Sequence, residues 1–156
     1  MAQPTVITSP LHFTTVIKSS TYVLTDWHAT WCGPCHAIAP VYASLAKQHS
    51  SPNLTFTKID VDAQQQLARE YGITAMPTFL LFKDGKVVET VRGANPPALK
   101  AIVEKASREV KAAEEEKRKA EEERKKQAET VEEGNDVSVG GNYGITKGSG
   151  WKMSLR

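Results

Sequence analysis

Cysteine is scarce. The chain has two in 156 residues, both within Trp31-Cys32-Gly33-Pro34-Cys35-His36. A secreted, disulfide-stapled scaffold needs several pairs, so that class is excluded. A single Cys-x-x-Cys fits a reducing compartment better. Charge of either sign is also lacking in excess: 20 Lys and Arg stand against 18 Asp and Glu, which gives no argument for nucleic acid as a partner. No apolar run approaches the ~18 residues of a membrane span, so no membrane is implied. The start, Met1-Ala2-Gln3-Pro4-Thr5, has neither the basic and apolar regions of a signal peptide nor the arginines of a mitochondrial presequence. The expected location is the cytosol, with the nucleus also open.

What is present is organised around the two cysteines. Upstream, Tyr22-Val23-Leu24-Thr25-Asp26-Trp27 has the β-branched and aromatic content of a strand. Downstream, Ile38, Val41, Tyr42 and Leu45 recur at helical spacing. Cys32 is therefore expected at a helix N-terminus, where free N–H groups and the helix dipole stabilise a thiolate. Cys35, about one turn on, is placed to attack a mixed disulfide formed on Cys32. Three other uses compete: c-type haem attachment, a zinc site and an inert staple. Haem attachment wants export and a distal ligand, zinc wants a second ligand pair, and a domain this long builds a core without a staple. The redox dithiol outweighs them.

Beyond this motif, several stretches carry signals of their own. Asp26 lies within an apolar strand. Ala75-Met76-Pro77-Thr78-Phe79 follows a helix ended by Gly72, Lys83-Asp84-Gly85-Lys86 is a strong hairpin signal, and Gly93 follows Thr90-Val91-Arg92. In this order and spacing, over roughly residues 4–107, the chain resembles the thioredoxin family. The resemblance implies an α/β thioredoxin fold: a central mixed sheet flanked by helices. It implies that Asp26 is buried behind the cysteines, that burial keeps it protonated near neutrality, and that it handles the proton of Cys35. Lys58 matches a lysine near that acid and would moderate its pKa. Pro77 would follow a cis bond, which sequence alone would not predict, and the Met76 backbone would pair with an extended substrate segment. Trp31, Gly33, Pro34, Met76, Gly93 and Ala94 would form a flat, uncharged patch around Cys32 that suits protein disulfides.

The implied activity is reduction of protein disulfides, with re-reduction by thioredoxin reductase at the expense of NADPH. No cofactor would be bound, no metal is expected, and the family potential of about −270 mV would make the protein a reductant. One departure is His36, where the family usually has Lys or Arg. It supplies less positive charge beside Cys35 than a lysine. His28, His36 and His49 do not make a metal constellation by spacing and are read as surface or packing residues.

Secondary structure away from the motif reads as follows. Residues 4–7 are a short strand. Ser9 caps a helix with Pro10 at its first position, and Phe13, Val16 and Ile17 form the apolar face. Pro40 should kink the second helix without ending it. Residues 54–60 are a strand, and Asp62 is the expected cap of a helix over 63–71. Residues 78–82 and 87–91 are a hairpin. Asn95 caps a last helix that docks through Leu99, Ile102 and Val103.

Past residue 107 the composition changes. From 104 to 133 it is almost all Glu, Lys, Arg and Ala, without Gly or Pro. Pairs such as Glu114–Arg118, Glu115–Lys119, Glu121–Lys125 and Glu122–Lys126 have the favourable order, each contributing about 0.2–0.5 kcal/mol. Apolar a and d positions are missing, which argues against a coiled-coil seam. A solvated helix over 96–131 would reach on the order of 50 Å, the alternative being a fraying spacer. The division expected is 1–107 for the dithiol domain, 108–133 for a charged helix and 134–156 for a Gly-rich tail. The tail ends in Gly150-Trp151-Lys152-Met153-Ser154-Leu155-Arg156, a candidate docking motif for a protein partner set against a tail with no role. In the rival reading, an adaptor or complex subunit, that tail carries the biology and the dithiol domain is a docking head.

Overall fold

The strand after Ser20 takes seven residues, Tyr22–His28, because its side chains can be buried on both faces of a sheet. Even-numbered Tyr22 and Leu24 pack with Ile38, Tyr42, Leu99 and Val103. Odd-numbered Val23 and Trp27 pack with Phe13, Ile17, Leu67 and Leu80. This is the alternation of a central strand sandwiched between helices. The structure is a computed structural model that describes residues 2–133.

The elements in chain order are β1 (Thr5–Val6), α1 (Pro10–Ser19), β2 (Tyr22–His28), α2 (Gly33–His49), β3 (Leu54–Asp60), α3 (Gln65–Glu70), β4 (Thr78–Lys83), β5 (Lys86–Arg92) and α4 (Pro96–Glu133). The sheet order is β1-β3-β2-β4-β5. β1 and β2 run parallel to β3, whereas β4 runs antiparallel to β2 and β5. The mixed sheet with α2 and α4 on one face and α1 and α3 on the other is the fold expected from sequence. Among the described residues, no helix is long and apolar enough to cross a membrane.

Local signals explain most boundaries. The Ser9 hydroxyl accepts the His12 N–H at 3.1 Å, starting α1. Asp84 and Gly85 take φ of 51° and 80°, the left-handed pair of a tight hairpin turn. Pro40 lies inside α2, exposed, and the helix runs through it. The expected cap of α3 is corrected. Asp60 rather than Asp62 gathers the free N–H groups there, its Oδ1 accepting from Asp62 at 2.9 Å and Ala63 at 3.4 Å. Helix α3 begins later, at Gln65, without a side-chain cap.

Asn95 starts α4 as expected, accepting the Ala98 N–H at 3.1 Å. The helix stays in the core through Ala106, Ser107 and Val110, all buried. Polar ties accompany them. Glu109 accepts a hydrogen bond from the Tyr22 hydroxyl and pairs with Lys83 at 3.1 Å, and Lys105 pairs with Glu89 at 2.7 Å. Glu114, expected to pair with Arg118, accepts from Asn53 Nδ2 at 2.8 Å. The Glu122–Lys126 pair forms at 3.0 Å. Residues 1–116 make one compact unit, and a second begins at Lys117. Within the second, the side chains from 117 to 131 are exposed, as a run of Glu, Lys and Arg requires. The expected docking motif at 150–156 lies outside the described residues.

Candidate functional site: a helix-capping dithiol

Cys32 is the N-cap of α2 and has extended backbone angles. Its Sγ accepts the Cys35 N–H at 3.2 Å, and its carbonyl accepts the His36 N–H at 3.4 Å. Its own N–H is held by Ala29 O at 3.2 Å. The cap position thus turns a cysteine sulfur toward one of the free N–H donors that begin a helix. Pro34 is tolerated in this first turn because its missing N–H would have had no intrahelical partner.

Cys32 and Cys35 form a disulfide, with Cα atoms 5.3 Å apart. Both residues are nearly covered, at 5 % and 6 % exposure. Trp31 beside them is 69 % exposed. It belongs to the surface and not to the core, and its indole N–H donates to Asp62 Oδ2 at 2.9 Å. Gly33 and Pro34 are exposed as well, and a Cβ at Gly33 would meet open space. His36 is exposed, and its Nε2 donates to Thr30 O at 2.8 Å, tying the first turn of α2 to the loop before the cysteines.

The remaining patch residues come from the segment before β4 and the one after β5. Met76 packs against the cluster that holds both cysteines. The Met76–Pro77 bond is cis, in agreement with the resemblance, and Pro77 is buried. Gly93 donates its N–H to Pro77 O at 2.7 Å with φ of 85°, a backbone conformation that favours glycine. Ala94 follows, exposed.

Asp26 sits at the centre of β2, 2 % exposed, and its Oδ1 has no hydrogen-bond partner. Burial pushes its carboxyl up to about 6, against a smaller lowering by the charges of His28 and Lys58. The upward direction is the one expected from sequence. A carboxyl raised toward neutrality in this way can exchange a proton with a nearby thiol. Lys58 lies directly opposite it on β3. Tyr42, fully buried on the inner face of α2, has its hydroxyl pushed well above the usual range, by burial first and then by the Asp26 charge. It remains an O–H donor whose one proton is shared between Leu24 O and Thr57 O, at 2.8 and 2.7 Å.

Two neighbours of this site went unassigned from sequence. Asp62 had the spacing of a helix cap, which hid its bond to Trp31. His28 was read as a surface or packing residue, although its place two residues after Asp26 in one strand put both on the same face.

A buried dithiol at a helix N-terminus, a base on the adjoining strand and a cis-proline loop occur here together. The family model described as Thioredoxin matches residues 4–105. The chain belongs to the thioredoxin family. It is 47% identical over 111 residues to a thioredoxin of Neurospora crassa, an alignment covering 67% of this chain and 87% of that one. Among solved structures it resembles Malassezia sympodialis thioredoxin, with 41% identity and a TM-score of 0.65 over 69% of this chain and 93% of that one. Plasmodium falciparum thioredoxin is 40% identical with a TM-score of 0.62, covering 65% and 97%. The protein is a thiol-disulfide oxidoreductase acting on protein disulfides through Cys32 and Cys35. Like other thioredoxins it carries no cofactor of its own, and its partners are disulfide substrates and thioredoxin reductase.

Proposed function

We propose that this thioredoxin works as a reductant and that the residues around the dithiol divide the reaction as follows. The Cys32 thiolate attacks one sulfur of a substrate disulfide, forming a mixed disulfide and releasing the other substrate sulfur as a thiolate. Asp26 accepts the proton of Cys35. The Cys35 thiolate then attacks Cys32 Sγ, closing the intramolecular disulfide and releasing the second substrate thiol. The substrate gains two electrons and the protein loses two. Thioredoxin reductase restores the dithiol with two electrons from NADPH.

The observation that carries this division is the placement of Asp26, a buried carboxyl at the centre of β2 whose Oδ1 has no hydrogen-bond partner and whose pKa burial raises toward neutrality. Lys58 supports it with a positive charge across the β2–β3 pair. Trp31, Gly33, Pro34, Met76, Gly93 and Ala94 serve as the uncharged surface for the substrate segment, with Pro77 fixing the loop. The compartment is a reducing one, the cytosol with or without the nucleus. Residues 1–107 hold the chemistry, and 108–133 and 134–156 are accessories to it. A protein partner docked on the tail is the finer proposal, in which the dithiol is delivered to substrates near that partner.

A covalent trap tests the reading. With Cys35 replaced by Ser, mixed disulfides on Cys32 persist and the captured proteins can be identified. Capture of proteins bearing oxidisable cysteines is expected, with loss of capture in the additional Cys32→Ser variant. The same trap cut after Val110 tests the tail: an unchanged set removes the docked partner from consideration. If the full-length trap captures nothing, the adaptor reading takes the place of the reductant.

A further inference from the structure

Among the described residues, two buried side-chain polar atoms have no hydrogen-bond partner: Asp26 Oδ1 and His28 Nδ1. They belong to one strand and are two residues apart, so both point to the face of β2 that Leu24 shares with α2. The register of β3 places Lys58 opposite Asp26 and Asp60 opposite His28. The result is a square of four ionisable groups at the end of the sheet from which the chain enters the dithiol helix. Opposite charges face each other in both rows when His28 is protonated.

The other elements packed on this face add little charge. β4 brings Phe79 opposite Asp26. α2 brings Tyr42, which stays neutral. The second imidazole nearby, His36, is exposed and engaged with Thr30 O. Asp60 Oδ1 already accepts two backbone N–H groups. His28 is therefore the titratable cation on Asp26's own strand, and its charge heads the influences that lower the Asp26 carboxyl, ahead of Lys58.

We propose that His28 is a positioning residue for the resolving step, its imidazolium charge holding the Asp26 carboxylate in the ionised form that accepts the proton of Cys35. This rests on the assignment of Asp26 as that base. A positive charge beside Asp26 matters most on the acid side of neutrality, where burial alone would keep the carboxyl protonated and unable to take a proton. His28 thereby extends the working range of the dithiol toward lower pH. Lys58, opposite Asp26 on β3, lowers the same carboxyl to a smaller extent.

The experiment compares wild type with His28→Gln and His28→Lys. The Asp26 carboxyl is titrated by carbon NMR in the oxidised protein, where neither cysteine ionises. Reduction of insulin disulfides by the reduced protein is then followed by stopped flow between about pH 5 and pH 9. In His28→Gln the Asp26 midpoint should rise. Insulin reduction near pH 6 should fall about two- to fivefold, the deficit shrinking toward alkaline pH, as a smaller ionised fraction dictates. In His28→Lys, whose charge does not titrate in this range, the midpoint should lie at or below that of wild type. An unmoved midpoint in His28→Gln, or a shift of the same sign in both variants, overturns the proposal. Asp26→Asn separates the two levels. If it keeps the wild-type acid limb, the base assignment itself falls. If it alters that limb while His28→Gln leaves the midpoint unmoved, His28 alone is refuted.

Discussion

The indole N–H of Trp31 donates to Asp62 Oδ2 at 2.9 Å, joining the residue before the dithiol to the loop between β3 and α3. Trp31 is 69 % exposed, so this bond and not core packing fixes the ring on the surface. Asp62→Ala should free the ring. We expect the KM for a protein disulfide substrate to rise about two- to fivefold, the size of a solvent-exposed hydrogen bond of about 0.5–1 kcal/mol. Unfolding free energy should change by less than about 0.5 kcal/mol, since both groups are exposed. Steady-state kinetics on insulin and urea unfolding check the two halves.

Asp26 makes stability pH-dependent, and its sign is opposite to that of a salt-bridged carboxylate. Its pKa is raised from 3.8 to about 6 in the folded protein, so between those values the folded state binds more protons than the unfolded one. Stability from this group is full below the unfolded value and is lost as pH rises through about 6. The loss amounts to about 3 kcal/mol. Asp26→Asn removes the titration. Its stability relative to wild type, in the oxidised form, should climb by most of that amount from pH 4 to pH 8. A difference that stays flat with pH would show that Asp26 titrates alike folded and unfolded.

Tyr42 carries the inner end of α2. Its hydroxyl faces the carbonyls of Leu24 on β2 and Thr57 on β3, where the two strands are paired. Tyr42→Phe keeps the ring and leaves buried acceptors short of a donor. A loss of about 1–3 kcal/mol in unfolding free energy is expected, measured by denaturant titration at constant m.

Val110 marks how far α4 belongs to the core. It is 5 % exposed, whereas the side chains from 117 to 131 are exposed. Val110→Ala should cost about 1–2 kcal/mol at ~0.8 kcal/mol per buried methylene-sized group. A chain ending after Glu116 keeps Val110, the Glu109–Lys83 pair and the Glu114–Asn53 bond. Its unfolding midpoint should exceed that of a chain ending after Lys105, which loses all of them.

Much of the fold was legible because its signals are local. The alternation in β2, the Ser9-Pro10 start of α1, the Asp84-Gly85 turn and the uninterrupted charge of α4 each depend on neighbouring residues. The dithiol was legible for the same reason. The cis bond at Met76–Pro77 was not, except by resemblance, because tertiary packing selects the isomer. The cap of α3 was missed because Asp60 and Asp62 both have cap chemistry and only the chain's path chooses between them. The ionisation of Asp26 was beyond reach, since it depends on how burial weighs against His28 and Lys58. Strand register, which sequence does not display, sets that balance.

Cys32 as the N-cap of α2 has a thermodynamic consequence. Capping groups ordinarily contribute the same stability under all conditions, but this one changes its chemistry with each turnover. Oxidised, it offers a disulfide sulfur to the Cys35 N–H; reduced, it offers a thiol or thiolate, whose charge favours the helix terminus further. Unfolding and reduction therefore form one closed cycle. Any substitution in the first turn of α2 that stabilises one redox form over the other must displace the potential by the same free energy, about 30 mV for each 1.4 kcal/mol. Melting curves of the two forms, taken side by side, would rank variants of this protein as electron donors without an electrode.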